Sequence, residues 1–372
     1  MLSIDRLRID RRLLEHFEWP FLSIVLLIAG CGLLTIFSAT FVAGAGVSPY
    51  VVRQAVWIGI SLVVLLATLS FDYRRLDRYG IPMYAATLLL LCLVPLLGTS
   101  GGGARRWLPV GPVSLQPSEF MKIALVVALA SNLHRWAGGP RLALRRLVGP
   151  VLMLAAPAYL VLAQPDLGTV IVLGAGWVAV LLLAGLPLRL VFAAVLVIGA
   201  ALPYAWEHLK PYQKQRVESY LHPQSDPLGA GYHARQSKIA IGSGMVHGKG
   251  YLRGTQNQLR FLPEQHTDFI FSVYAEEWGF VGTATLLGLY IALLARGAMI
   301  AMKARDNLGA LLAGGLTAMI VLQAVINVGM TAGVLPVVGI TLPLLSYGGS
   351  SMMALMAGVG LIMNVSMRRY VF

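Results

Sequence analysis

Four groups of side chains in this chain have types and spacings that can do chemistry. The first is Asp268, at the end of the polar patch Glu264, Gln265, His266, Thr267 and immediately before an apolar run. A carboxylate at that edge is partly desolvated, which raises its pKa and suits it to accept a proton as a general base. It can equally cap the helix that follows, a role Thr267 shares. The second group is Glu119 and Lys122 in QPSEFMK, three positions apart and so on one helical face. Such a pair either clamps helices together or, beside Arg105 and Arg106, holds an anionic head group such as pyrophosphate. The third is Asp166 in the QPDLGT turn (164–169), which reads as a helix cap when taken alone. The fourth is the stretch 211–244, where Lys214, Arg216, Arg235 and Lys238 stand among aromatic residues and glycines. That mixture fits either an amphipathic interfacial helix or a surface for sugar and phosphate.

Glu276 and Glu277 lie eight and nine positions past Asp268, a little over two turns deeper in a helix. Glu276 falls nearer the face of Asp268, Glu277 roughly opposite, and neither is assigned a catalytic role. Glu264, His266 and Asp268 alternate, with His233 and His247 upstream, but no HExxH or paired-Cys motif accompanies them. A dedicated zinc site is therefore not expected. A divalent cation (Mg²⁺ or Mn²⁺) carried on substrate phosphates stays open, and no cofactor is required by the sequence.

These residues have to be held by something, and composition says what. Of 372 residues, 57% are hydrophobic and 12% charged, about half the charged fraction of a soluble domain. The apolar residues fall in blocks near 20–41, 51–69, 81–97, 118–134, 149–164, 167–186, 189–207, 269–296, 307–333 and 350–367. Blocks of that length predict about ten transmembrane helices, an all-α polytopic bundle. Gly279 offers a bend within the long block 269–296, and the Pro/Gly-rich segment 335–353 predicts irregular backbone lining an internal groove or packing helices together. The net charge of +13 would suggest nucleic acid in a soluble protein. Here it follows the spans instead. Arg6, Arg8, Arg11, Arg12, then Arg74, Arg75, Arg78, then Arg135, Arg141, Arg145, Arg146, then Arg189, then Arg296, Lys303, Arg305, and finally Arg368 and Arg369 all fall on one side. The positive-inside rule makes that side cytoplasmic, with both termini inside and residues 1–19 an uncleaved cytoplasmic segment. Cys31 and Cys92 both sit in apolar blocks and imply no disulfide.

The loops 98–122 and 209–268 consequently face outward, as does QPDLGT. An outer loop of that length is too long for a connector. The residues alone admit a lipid-linked transferase or a transporter of an anionic lipid or solute. The large outer loop favours chemistry on a head group, because transporter sites lie near the bilayer midplane.

Five motifs narrow this further. GGGARRWLPVGPVSLQPSEFMK, QPDLGT, YQKQRVESYLHPQSDPLGAGYHARQSKIAIGSG, FLPEQHTDFIFSVYAEEWGF and LPLLSYGGSS occur in this order across nearly the whole chain. The sequence resembles the SEDS family (shape, elongation, division and sporulation). GTQNQLRFLPEQHTDFIF and NVGMTAGVLPVVGITLPLLSYGGSS are closer to its RodA elongation branch than to its FtsW division branch. The resemblance implies a GT-C-like single membrane domain and a peptidoglycan glycosyltransferase. Such an enzyme polymerises lipid II into β-1,4 glycan strands at the outer face of the cytoplasmic membrane and works beside a class B penicillin-binding protein and the elongation machinery. It implies that Asp268 is the catalytic aspartate, a general base, and that Glu119, Lys122 and Asp166 are functionally important. Arg105, Arg106, Arg216, Lys238, His266 and Thr267 become candidate substrate contacts. His247 and Trp278 depart from the family pattern. Lipid II flipping is the competing activity, and a purely scaffolding subunit a third.

Overall fold

In the computed structural model the apolar blocks are helices. The structure describes residues 16–369 apart from 43–45, 102–103, 112, 138–143, 209–213, 215–217, 219–229, 260 and 262–264. Arg6, Arg8, Arg11, Arg12, Arg141, Arg216 and Glu264 lie outside the described residues. The helices are α1 (Trp19–Ala39), α2 (Pro49–Ser70), α3 (Leu76–Leu97), α4 (Pro117–Leu133), α5 (Val148–Ala163), α6 (Leu167–Leu183), α7 (Leu188–His208), α8 (Ala230–Ser243), α9 (Thr255–Gln258), α10 (Ile270–Met302), α11 (Asn307–Thr331) and α12 (Gly349–Met367). Seven of the described helices, α1, α2, α3, α5, α10, α11 and α12, are long and apolar enough to cross a membrane. With α4, α6 and α7 they make up the ten predicted blocks. Helices α4 and α6 have 17 residues each, about 26 Å of helix, just enough for a bilayer core. The chain is a multi-pass membrane protein.

The bundle has an inside and an outside of its own. Helix α4 is buried from Pro117 to Leu133 at almost every position, and α11 and α12 are mostly buried. Helices α2, α3 and α5 keep most of their surface outward, where apolar side chains meet lipid. The core is accordingly built around α4, α11 and α12, with α12 lying against α2, α3 against α4, and α11 against both α10 and α6.

Between α3 and α4 the chain makes a small antiparallel sheet that the hydrophobic pattern did not announce. Strands β1 (Thr99–Gly101), β2 (Ala104–Val110) and β3 (Val113–Leu115) pair in that order, Thr99 opposite Trp107 and Leu108 opposite Leu115. Two of the strands are only three residues long, too short for alternation to register.

The expected bend in α10 is a true break. Gly279 has φ 63° and ψ −160°, outside any helical region. The hydrogen bonds lost there are remade by the outer loop. Lys249 N and Gly250 N donate to the carbonyls of Glu276 and Glu277, while Phe280 N and Val281 N donate to the carbonyls of Met245 and Val246. This is how a membrane helix tolerates an interruption. The part after the break, 280–302, is about 34 Å of helix and crosses the bilayer core unaided. Residues 270–278 therefore form a separate half-helix at the end of the bundle where Asp268 sits.

Candidate functional site

Asp268 lies in a turn, 265–269, that leads into the half-helix. Three successive carbonyls of this turn are held from outside it. Tyr347 N donates to His266 O at 3.0 Å, Ser346 Oγ to Thr267 O at 2.7 Å, and Asn327 Nδ2 to Asp268 O at 2.9 Å. The main chain is thus fixed by two other elements, while the Asp268 side chain is half-buried rather than sealed. The helix cap is Phe269, without a side-chain cap bond. The cap position that the sequence offered to Asp268 as one of two roles thus falls one residue further on, at Phe269.

The segment supplying two of those donors is the Pro/Gly-rich stretch between α11 and α12. It runs as irregular but buried backbone, with Val338, Ile340, Leu342, Leu344 and Leu345 all inside the protein. Its polar groups are satisfied by four side chains from three helices, α2, α10 and α11. Gln323 Nε2 donates to Thr341 O, Asn327 Nδ2 to Ile340 O, Tyr290 Oη to Pro343 O and Gln54 Nε2 to Ser346 O. Within it Gly339, at φ 73°, passes so close to Asp268 that an added Cβ would lie 3.4 Å from Oδ2.

The same segment ties in the third predicted motif. A Cβ on Gly168, in the first turn of α6, would meet Val338 O at 2.7 Å and Gly339 O at 3.1 Å, so α6 begins hard against the strand of backbone beside Asp268. Asp166 caps α6, accepting from Thr169 N at 3.1 Å and Thr169 Oγ1 at 3.0 Å. Arg106, reaching over from β2, donates to Gln164 O and Pro165 O and lies 3.7 Å from Asp166 Oδ2. Most of its guanidinium is committed to this turn, with part of the side chain exposed.

Glu119 and Lys122 form a buried ion pair at 2.8 Å on α4. Lys122 Nζ also donates to Gln323 Oε1 at 3.1 Å. Gln323 and Asn327 are one turn apart on α11, so the pair on α4 connects through one face of α11 to the backbone of Asp268. The sequence reading missed Gln323, Asn327 and Ser346. The signal was present: Gln323, Asn327 and Thr331 recur at four-residue intervals in an otherwise apolar helix.

The remaining candidates spread outward from this centre. His266 is half-buried between the rings of Tyr50 and Tyr347, with centroids at 4.7 Å and 5.7 Å, and Thr267 is half-buried beside it. Lys238 lies exposed on α8, with its aliphatic stem against Gly333 at the end of α11. Its neighbour Ser237 bridges α10 and α11 through Ser272 Oγ and Thr331 O. Arg105 is exposed on β2. Among the described residues no three His, Cys, Asp or Glu side chains converge as metal ligands. Chemically, the arrangement is one half-buried carboxylate on a pinned backbone, with hydroxyl, imidazole and cationic groups around it at one end of a membrane bundle.

Comparison with known proteins is consistent along the whole chain. Residues 18–371 match the family model described as cell cycle protein and named for FtsW, RodA and SpoVE. The peptidoglycan glycosyltransferase MrdB of Escherichia coli K12 is 45% identical over 318 residues, 85% of each chain. The peptidoglycan glycosyltransferase RodA of Treponema pallidum is 34% identical, with 95% of this chain and 98% of that one covered. Among solved structures, a chain from a peptidoglycan synthase complex that coordinates polymerization and crosslinking superposes with a TM-score of 0.82 at 36% identity, covering 96% of this chain and 99% of that one. The rod shape determining protein RodA of Thermus thermophilus gives 0.71 at 32%, covering 96% and 98%.

Proposed function

This chain belongs to the cell cycle protein family named for FtsW, RodA and SpoVE, the SEDS family, and from that premise we propose that it is a peptidoglycan glycosyltransferase of the RodA type. It polymerises lipid II into β-1,4 glycan strands during cell elongation. Asp268 faces the outer surface of the cytoplasmic membrane and both termini face the cytoplasm. The observation that carries this reading is the pinning of three successive carbonyls at 266–268 around a half-buried carboxylate. A base acts efficiently only when held within hydrogen-bond reach of the proton it takes.

In the reaction, the 4-hydroxyl oxygen of the acceptor's GlcNAc attacks the anomeric carbon of the donor sugar. Asp268 takes the hydroxyl proton as the new C–O bond forms and the bond to pyrophosphate breaks, so one displacement turns an α-linked donor into a β-linked product. Undecaprenyl pyrophosphate leaves with the electron pair. Its charge is met by Arg105 and Lys238, together with Arg216 of the 209–268 loop, while Arg106 and the Lys122–Glu119 pair hold the frame. A divalent ion arriving on the pyrophosphate is compatible with this scheme. The solved complex supports a crosslinking partner, and we assign this chain a class B penicillin-binding protein as its transpeptidase.

The test is polymerisation of labelled lipid II by the purified protein with that transpeptidase. Asp268→Asn keeps the shape of the side chain and removes the base, so polymer formation should fall by about 100-fold or more. Polymer at near wild-type rate from monodisperse Asp268→Asn rejects the assignment and returns lipid II transport to first place.

A further inference from the structure

Nothing in this reaction uses Glu276, yet it is fully buried and three donors converge on one of its carboxylate oxygens. Its Oε1 accepts from Lys249 Nζ at 2.6 Å, from Gln256 N at 3.0 Å and from Thr255 Oγ1 at 3.2 Å. Lys249 Nζ also donates to Thr255 Oγ1 at 2.7 Å. The carbonyl of Glu276 accepts from Lys249 N, so side chain and main chain of the same two residues are joined twice. Next to it, Glu277 accepts from Ser38 at the end of α1. One acid therefore clasps the outer loop to the half-helix, and the other ties the half-helix to α1.

The break makes this clasp mechanically significant. A continuous helix would hold residues 270–278 in line with the long span, but Gly279 removes that continuity. The orientation of the half-helix then rests on its packing in the bundle, including the Ser237–Ser272 bond, and on its two ends. One end carries the 265–269 turn with its three carbonyl bonds; the other is docked to loop 245–250 and locked by the Lys249–Glu276 ion pair. Asp268 precedes Glu276 by eight positions, about 12 Å along a helix axis. A tilt of about 5° at the clasp displaces the far end by about 1 Å, an error that can cost a reaction about 100-fold.

We infer that Lys249 and Glu276 are positioning residues for the transferase: their ion pair fixes the half-helix whose leading turn presents Asp268. The inference rests on the reading of Asp268 as the base. An alternative function for Lys249, as a cation for the substrate pyrophosphate, predicts a different kinetic signature, because its loss would weaken binding.

The experiment uses full-length protein with its transpeptidase, labelled lipid II over a range of concentrations, and rates per monodisperse molecule. Lys249→Met should lower kcat by about 30-fold with KM within about twofold of wild type, and Lys249→Arg should stay within about threefold in both. The exchanged pair, Lys249→Glu with Glu276→Lys, should recover at least about tenfold over either single change. Glu276→Gln, which keeps the shape and an acceptor, replaces Lys249→Met if the latter does not yield monodisperse protein. Wild-type kcat in Lys249→Met, a rise in KM at unchanged kcat, or an exchanged pair no better than the single variants would each overturn the clasp. Asp268→Asn is run in parallel. If it is inactive while Lys249→Met is normal, only the clasp fails; if it is active, the reading of the base fails beneath it.

Discussion

At the scale of single residues, the polar groups near Asp268 divide by what their hydrogen-bonding capacity is spent on. Asp166 spends its carboxylate on Thr169 and Arg106, and Lys122 spends its ammonium on Glu119 and Gln323. A buried ion pair is costly to break from one side, because the remaining charge is stranded. Lys122→Met should therefore destabilise the protein by about 3–5 kcal/mol, and adding Glu119→Gln should recover part of that loss. Thermal unfolding in detergent measures both, and additive losses would show that the two side chains are not a unit. Asp166→Ala should cost about 1 kcal/mol through the lost cap, with more if Arg106 is released into the turn. Much of this was legible in the sequence. An i,i+3 acid–base pair and a Pro-Asp turn before an apolar block are local patterns, readable without knowing what lies across from them. The spacing of Asn327 and Gln323 was visible but their partners were not, since these are Lys122 on another helix and backbone carbonyls in a segment whose path no pattern specifies.

At the scale of elements, two glycines separate space from strain. Gly279 and Gly339 both have positive φ, near 63° and 73°. At Gly279 a Cβ would collide with the backbone of Gly248 and with the carbonyls of Gly244 and Val246, none of which can move without undocking the loop. Gly279→Ala should destabilise by about 2 kcal/mol or more, seen as a lower thermal midpoint and reduced yield. At Gly339 the nearest atom is Asp268 Oδ2, in ordinary van der Waals contact with the added methyl, so Gly339→Ala should cost only about 1–2 kcal/mol of backbone strain. Its larger effect should fall on kcat, through the carboxylate it touches. A Gly339→Ala enzyme with unaltered turnover would mean that Asp268 Oδ2 is not poised at that wall. The bend at Gly279 was legible from a glycine in an overlong apolar block. Its filling by residues 245–250 was not, because that docking is made chiefly by main-chain atoms some thirty positions upstream, with the Lys249–Glu276 pair as its side-chain mark.

At the scale of the whole molecule, the contacts sort the connections into two ends. Gln265 reaches Ala39, Arg106 reaches Gln164, Gln116 reaches Ser350 and Tyr50 stacks on His266, so the turn with Asp268, the sheet and the QPDLGT turn share one end. At the other end Asn364 binds the carbonyls of Thr68, Leu69 and Phe71, Arg368 binds Leu69, and Asn307 binds His134 and Ala137. This second end is where the arginines cluster, including Arg74, Arg75, Arg135, Arg145, Arg146, Arg368 and Arg369. Alternation of spans and the charge bias were both readable from the sequence, which is why the bundle was anticipated. The three-dimensional gathering of four distant loops around one carboxylate was not, since each loop is defined by what packs on it. The orientation itself yields a direct prediction. In a variant lacking Cys31 and Cys92, a cysteine at Arg105, exposed on β2, should react with a membrane-impermeant maleimide in spheroplasts. A cysteine at Arg135, exposed at the opposite end, should react only after the membrane is opened. The reverse pattern would put Asp268 in the cytoplasm, on the wrong side of the membrane for the reaction proposed above. The charge bias argues against that reversal on energetic grounds, because it would place Arg74, Arg75, Arg135, Arg145 and Arg146 in short outer loops, against the rule that sets the topology of such bundles.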